Sequence, residues 1–145
     1  MKKIILSFCM LALVISFPAQ ARNDFKHFSL ADAFALEQFK SKLGNNVQFY
    51  FGNQRHGRVI KRIGSWPTQK KTNAFNKTDE FACQWALLSG LLSLKKRALA
   101  EGGNAVINIK TNNDHREINN RKTFECEVGN IIASVALVGT VVKQK

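Results

Sequence analysis

A glycine loop, a scatter of carboxylates and histidines, and a basic stretch are three groups of residues in this 145-residue chain whose types and spacings bear on chemistry. The stretch Gly52-Asn53-Gln54-Arg55-His56-Gly57-Arg58-Val59 has the glycine spacing of a phosphate-cradling loop. Such a loop needs G-x-x-x-x-G-K-[ST] between a strand and a helix, so that backbone N–H groups hold the phosphates and the Lys neutralises them. Here Arg58 and Val59 replace the Lys and the hydroxyl residue, and the segment falls between two expected strands, where glycines serve a turn. Nucleotide binding is therefore not expected. Glu125 and Glu127 flank Cys126 on an expected strand and so share one face. Paired carboxylates can do acid–base work, but a solvated outer sheet face accounts for both. His27, His56 and His115 fall in expected termini or loops, and no G-x-S-x-G elbow accompanies them. Asp114, His115 and Glu117 read as a wet polar loop rather than as metal ligands. No catalytic residue, metal site or cofactor is expected, and the chain is read as non-enzymatic.

The third group is basic. Between Glu37 and Asp79 there is no acid, while Lys40, Lys42, Arg55, Arg58, Lys61, Arg62, Lys70, Lys71 and Lys77 are all cations. Phe49, Tyr50, Phe51, Trp66 and Phe75 are interleaved with them, Trp66 beside Pro67 being the one expected at the surface. Strand alternation would set Arg58, Ile60 and Arg62 on one face and Val59, Lys61 and Ile63 on the other. A row of arginines can hold phosphates in bidentate fashion. The anion-binding candidates are Arg55, Arg58, Lys61, Arg62, Lys70 and Lys71. The same charges also fit a solvated face that keeps the chain soluble.

The elements that must position these residues follow from pattern. Ser29-Leu30-Ala31-Asp32 offers an N-cap serine with a carboxylate three places on, helix formers run to Leu43, and Gly44 is a stop. Val47–Phe51 reads as a strand, Asn53–Gly57 as a polar turn and Arg58–Ile63 as the returning strand of a β-hairpin. Pro67 is expected to end regular structure, leaving Thr68–Lys77 as a polar loop. Thr78 caps the longest helix, with Asp79 and Glu80 in the first turn where carboxylates suit the dipole. Phe81, Trp85, Leu88 and Leu92 form one apolar row, and Cys83, Leu87, Leu91 and Leu94 form its neighbour. Lys95, Lys96 and Arg97 favour its last turns, and Gly102-Gly103 terminates it. A strand at Ala105–Ile109, a polar loop at Thr111–Arg121, a strand at Thr123–Val128 and an apolar strand at Ile131–Val142 complete the chain. The expected fold is α+β: a single small domain with one main helix packed on a mainly antiparallel sheet, and an additional N-terminal helix.

Length allows one domain, and ordinary proportions of hydrophobic (45%) and charged (22%) residues exclude wholesale disorder. Met1-Lys2-Lys3, the apolar run Ile4–Phe17 and Pro18-Ala19-Gln20-Ala21 are the three parts of a secretory signal peptide. Residues 1–21 are read as that signal, cleaved after Ala21, and residues 22–145 as the exported domain, periplasmic or secreted. Cys9 lies too early in the apolar run for lipid attachment, and the run is too short for a mature membrane anchor. Removing Lys2 and Lys3 takes the net charge from +12 to +10. It also leaves two cysteines, Cys83 and Cys126. In an oxidising compartment these most simply pair. Two free thiols or half of a metal site are the alternatives, although zinc sites usually show close C-x-x-C pairs.

The stretches Lys71–Lys77, Ala82-Cys83, Trp85-Ala86-Leu87, Gly103–Asn108, Phe124-Glu125-Cys126 and Gly139–Val142 together resemble a family of small exported proteobacterial proteins. Members are often labelled as an excinuclease ATPase subunit, a label the missing P-loop does not support. The segment of about 80–142 is also similar to YbjQ-like domains and, more distantly, to the Rcs outer-membrane stress-sensor lipoprotein. The resemblance implies a small α+β domain with Cys83 and Cys126 paired, and it carries over no catalytic residue. The chain has neither a ligand cluster for heavy metals nor the lipid-bearing cysteine of the Rcs sensor. For an exported chain the accessible anions are lipopolysaccharide phosphates, anionic lipid head groups, acidic polysaccharide and nucleic acid. The Rcs likeness points instead to an envelope protein partner. N-terminal sequencing of exported protein is expected to start at Arg22, with no thiol alkylated until reductant is added. Alkylation of both Cys83 and Cys126 without reductant would rule the bridge out.

Overall fold

Residues 21–145 are described by a computed structural model; the expected signal peptide lies outside the described residues save for Ala21. In chain order the elements are β1 (Asp24–Ser29), α1 (Leu30–Ala35), α2 (Glu37–Leu43), β2 (Gln48–Phe51), β3 (Val59–Asn73), α3 (Asp79–Ala100), β4 (Ala105–Asn113), β5 (Arg116–Ile118), β6 (Thr123–Val128) and β7 (Ile132–Gln144). Among the described residues the fold is α+β, a seven-stranded mixed sheet with three helices.

β7 is rich in β-branched and small residues (IASVALVGTVVKQ), suiting a strand buried on both faces. On one side it pairs antiparallel with β3 from Val59↔Gln144 to Asn73↔Ile132. On the other it pairs with β6 at Ala133 and Ser134, then with β4 from Leu137 to Val142. Between these two ladders, the Ala136 backbone N–H donates to Asn113 Oδ1 at 3.0 Å, and Asn113 Nδ2 donates to the Glu125 carbonyl at 3.2 Å. One buried amide side chain thus supplies the bonds that neither strand makes where β4 hands over to β6. β1 extends the sheet beyond β6, and β2 lies beside β4 as the one parallel pair.

α3 covers one face of this sheet. Thr78 caps it, its Oγ1 accepting from the Phe81 N–H. Cys83, Ala86, Leu87, Gly90, Leu91, Leu94 and Ala98 are buried along it. Gly90 lets the helix approach the sheet, since a Cβ there would sit 3.1 Å from Leu137 Cδ1. Cys83 is joined to Cys126 on β6, with Cα atoms 5.9 Å apart. Val135, Leu137, Val141, Phe124 and Val128 complete the core.

Several expectations are corrected. β2 and β3 do not form a hairpin; each pairs with a strand far along the chain, because β7 offers a ladder much longer than a local turn can supply. Pro67 does not end regular structure. It sits mid-way along β3, an edge strand, where a residue without an N–H is tolerated on the unpaired side. The expected loop Thr68–Lys77 is strand as far as Asn73. The N-terminal helix is two short helices, broken at Leu36 in an extended conformation, and β1 precedes them. The expected loop Thr111–Arg121 contains a β4–β5 hairpin whose turn residues, Asp114 (φ 51) and His115 (φ 58), are left-handed, as a two-residue hairpin loop demands.

Gly139 on β7 is a tight point of the core. A Cβ there would meet Val106 Cγ1 at 2.5 Å and Ile109 Cγ1 at 3.3 Å. Gly139→Ala is expected to destabilise the fold by about 1–3 kcal/mol, read as a lower denaturant midpoint at unchanged slope. An unshifted midpoint would show that β4 can move away from β7.

Candidate functional site

The six basic candidates do not converge on one face. Arg55 and Arg58 lie in the segment between β2 and β3, and Arg58 precedes the strand instead of starting it. Lys61 stands opposite Lys143 and Arg62 opposite Val142, so these neighbours point to opposite faces. Register shifts between Val59 and Lys61 and between Arg62 and Gly64 break the simple alternation expected for 58–63. Lys70 and Lys71 stand opposite Val135 and Ser134. At about 3.3 Å per residue they lie roughly 30 Å along β3 from Lys61 and Arg62. The structure therefore divides the set into two groups at the two ends of one long strand.

The group at the start of β3 gains members that sequence spacing did not suggest. The Lys145 N–H donates to the Arg58 carbonyl at 3.0 Å, and Lys143 faces Lys61 across the ladder. Arg55, Arg58, Lys61, Arg62, Lys143 and Lys145 are all exposed, and none is in an ion pair among the described residues. Only strand pairing brings the chain's last residues to this end, so no local motif announces them. Like charges directly opposite in an antiparallel pair are destabilising, so Lys61 and Lys143 hold positive potential against repulsion.

The remaining candidates are placed as follows. The Gly52–Gly57 segment joins two strands with no helix after it, and two of its amides are in use. Gly52 N–H donates to the Ile109 carbonyl at 2.9 Å, and Gln54 N–H to the Phe51 carbonyl at 3.0 Å. Glu125 and Glu127 do share a face, but Glu125 is not solvated. It is 2% exposed and accepts from Arg116 Nη2 at 2.8 Å and Asn113 Nδ2 at 3.2 Å, with His27 Nε2 at 3.6 Å. The β4–β5 hairpin, invisible to local pattern, carries Arg116 over it. His27 lies on β1 rather than in a terminus. Among the described residues no three His, Cys, Asp or Glu side chains come together as metal ligands would. Trp66 is half-buried, with the Arg97 guanidinium 5.4 Å from its ring, whereas Phe75 is 69% exposed. Two shallow concavities of about 600 and 480 Å³ share Phe34 and Phe49 as walls; their polar rim holds no converging pair of catalytic type.

No helix among the described residues is long and apolar enough to cross a membrane. The chain matches no protein-family model, no curated protein and no solved structure. Its chemistry must be argued from its own geometry.

A second charged cluster, at the start of α3, is structural. Asp79, in the first turn of α3, accepts from Arg22 Nη2 at 2.6 Å and Lys26 Nζ at 2.7 Å. The Arg22 hydrogen bond first, and then that of Lys26, holds its carboxyl below the ordinary range. A depressed carboxylate contributes its stability in full above its unfolded pKa of about 3.9, and that contribution is lost as pH falls through the folded value. Asp79→Asn is therefore expected to be less stable than the parent at neutral pH. The gap should close on acidification below pH about 4. A pH-independent gap in denaturant midpoint would show that the charge of Asp79 does not carry its contribution.

Proposed function

We propose that this chain is an exported, non-catalytic binding module whose basic strand end engages a phosphate- or sulfate-bearing polyanion of the envelope or extracellular space. The observation that carries the reading is the set of Arg55, Arg58, Lys61, Arg62, Lys143 and Lys145, exposed and without acidic partners among the described residues, where β3 begins and β7 ends. Arginine guanidinium groups fit phosphate oxygens in pairs, and Lys61 opposite Lys143 adds a site whose mutual repulsion an anion relieves. The Cys83–Cys126 bridge is consistent with an oxidising compartment. The resemblance to small exported proteins and to YbjQ-like domains belongs to the same proposal. Lys70 and Lys71 are not part of this site, because β3 carries them to its far end.

Binding through this end is electrostatic, so affinity for lipopolysaccharide or a single-stranded oligonucleotide should fall steeply with salt. The triple reversal Arg58→Glu, Lys61→Glu, Arg62→Glu is expected to abolish retention at low salt. Single neutralisations should flatten the salt dependence by about one unit or less of log–log slope each. Fluorescence anisotropy with labelled ligand checks both. Failure of the parent protein to bind either polyanion at low salt would sink the proposal.

A further inference from the structure

The far end of β3 has a different character. Beyond Asn73 the chain turns through Ala74–Thr78 into α3, and beside it Gly129–Ile131 turns β6 into β7. These two turns are fastened together, the Ala74 N–H donating to the Ile131 carbonyl at 2.7 Å. Each is also closed internally. Phe75 N–H donates to Asn73 Oδ1 at 2.8 Å, Lys77 Nζ to the Asn73 carbonyl at 3.0 Å, and Gly129 N–H to the Ile132 carbonyl at 2.8 Å. On this braced tip Phe75 is 69% exposed, Ile131 62% and Ile132 50%. Large apolar side chains exposed on two turns that are bonded to each other call for an apolar environment.

The charges around the tip are suited to an anionic one. Lys70, Lys71 and Lys77 are exposed and in no ion pair among the described residues. Of the two acids in the first turn of α3, Asp79 is taken up by Arg22 and Lys26, and Glu80 accepts from Gln84 Nε2, leaving the three lysines in excess. Glu127 is the one acid lining the adjoining concavity, set against Arg22 and Lys71. Three apolar side chains expose a few hundred Å², well short of the roughly 800 Å² per partner that a stable protein interface buries. A bilayer interface makes no such demand. It takes up a few protruding apolar side chains while flanking lysines approach the head-group phosphates. We propose that the Phe75–Ile131–Ile132 tip docks into the interfacial layer of an anionic phospholipid bilayer, with Lys70, Lys71 and Lys77 on the head groups. This goes beyond the polyanion reading, and it uses none of the residues at the other end of β3.

The test compares vesicles of phosphatidylcholine with vesicles containing phosphatidylglycerol. It uses protein whose N-terminus has been read by mass spectrometry, so that parent and variants are the same species. Co-sedimentation is expected for the anionic vesicles and at least about tenfold weaker for the neutral ones. Phe75→Ser with Ile131→Ser, both at exposed positions, should weaken anionic-vesicle binding about tenfold or more. The Arg58→Glu, Lys61→Glu, Arg62→Glu protein should keep vesicle binding while losing the polyanions. Phe75→Trp should be quenched by lipids brominated on their acyl chains, beyond the quenching of Trp66 and Trp85 in the parent. Unchanged vesicle binding by the Phe75→Ser, Ile131→Ser protein would overturn the proposal. So would absence of the added quenching in Phe75→Trp, or a parent dimer in sedimentation that this double variant makes monomeric.

Discussion

The fold depends on how the backbone of β7 is shared. A central strand has one row of hydrogen-bonding groups on each side, and β7 gives one whole side to β3 while dividing the other between β6 and β4. Dividing a side leaves a gap at the handover, and a buried N–H without a partner costs about 1–3 kcal/mol. Asn113 fills that gap by accepting from Ala136 and donating to the Glu125 carbonyl. Its position is set by the left-handed turn at Asp114 and His115, which also aims Arg116 at the buried Glu125 carboxylate. One amide therefore couples the continuity of the sheet to a hairpin and to an internal charge.

The same shared strand decides where function can reside. By pairing with β3 from Val59 to Asn73, β7 separates cations that are close in sequence. It also joins Arg58 and Lys61 to Lys145 and Lys143, which are remote in sequence. The molecule gains two chemically distinct ends: one of guanidinium and ammonium groups around the exposed Ile60, and one of several apolar side chains fringed by lysines. The central stretch between them is an edge protected by Pro67 and by exposed polar residues, which discourages pairing with another chain.

Helix α3 was legible because its information is local. Thr78, Asp79 and Glu80 mark its start, two apolar rows mark its face, and Gly102, with φ +78, and Gly103 mark its end. The strands read at Thr123–Val128 and Ile131–Val142 correspond to β6 and, within two residues at its end, to β7 (Ile132–Gln144), since β-branched and apolar runs need no partner to be recognised. The hairpin of β2 and β3 was misread for a related reason. A polar turn between two strand-like runs is a good local signal, yet pairing is won by the longest ladder available, and that ladder lay some seventy positions away along the chain. Pro67 misled likewise, because whether a missing N–H matters depends on which side of the strand has a neighbour. The burial of Glu125 left no trace in its own flanking residues.

Taken alone, the amino-acid sequence determined the α+β class, the main helix with its caps, the strand-forming runs, the two cysteines placed to pair and an acid-free basic stretch. These are properties of residue type and short-range period, set by backbone sterics and side-chain burial within a few positions. Only the tertiary structure decided which strands are neighbours, that one carboxylate is buried among Arg116, Asn113 and His27, and that the basic stretch is split between two ends. Those outcomes arise from hydrogen-bond pairing between distant segments. Its geometry is fixed by the register of the whole β3–β7 ladder, and no window of adjacent residues contains it.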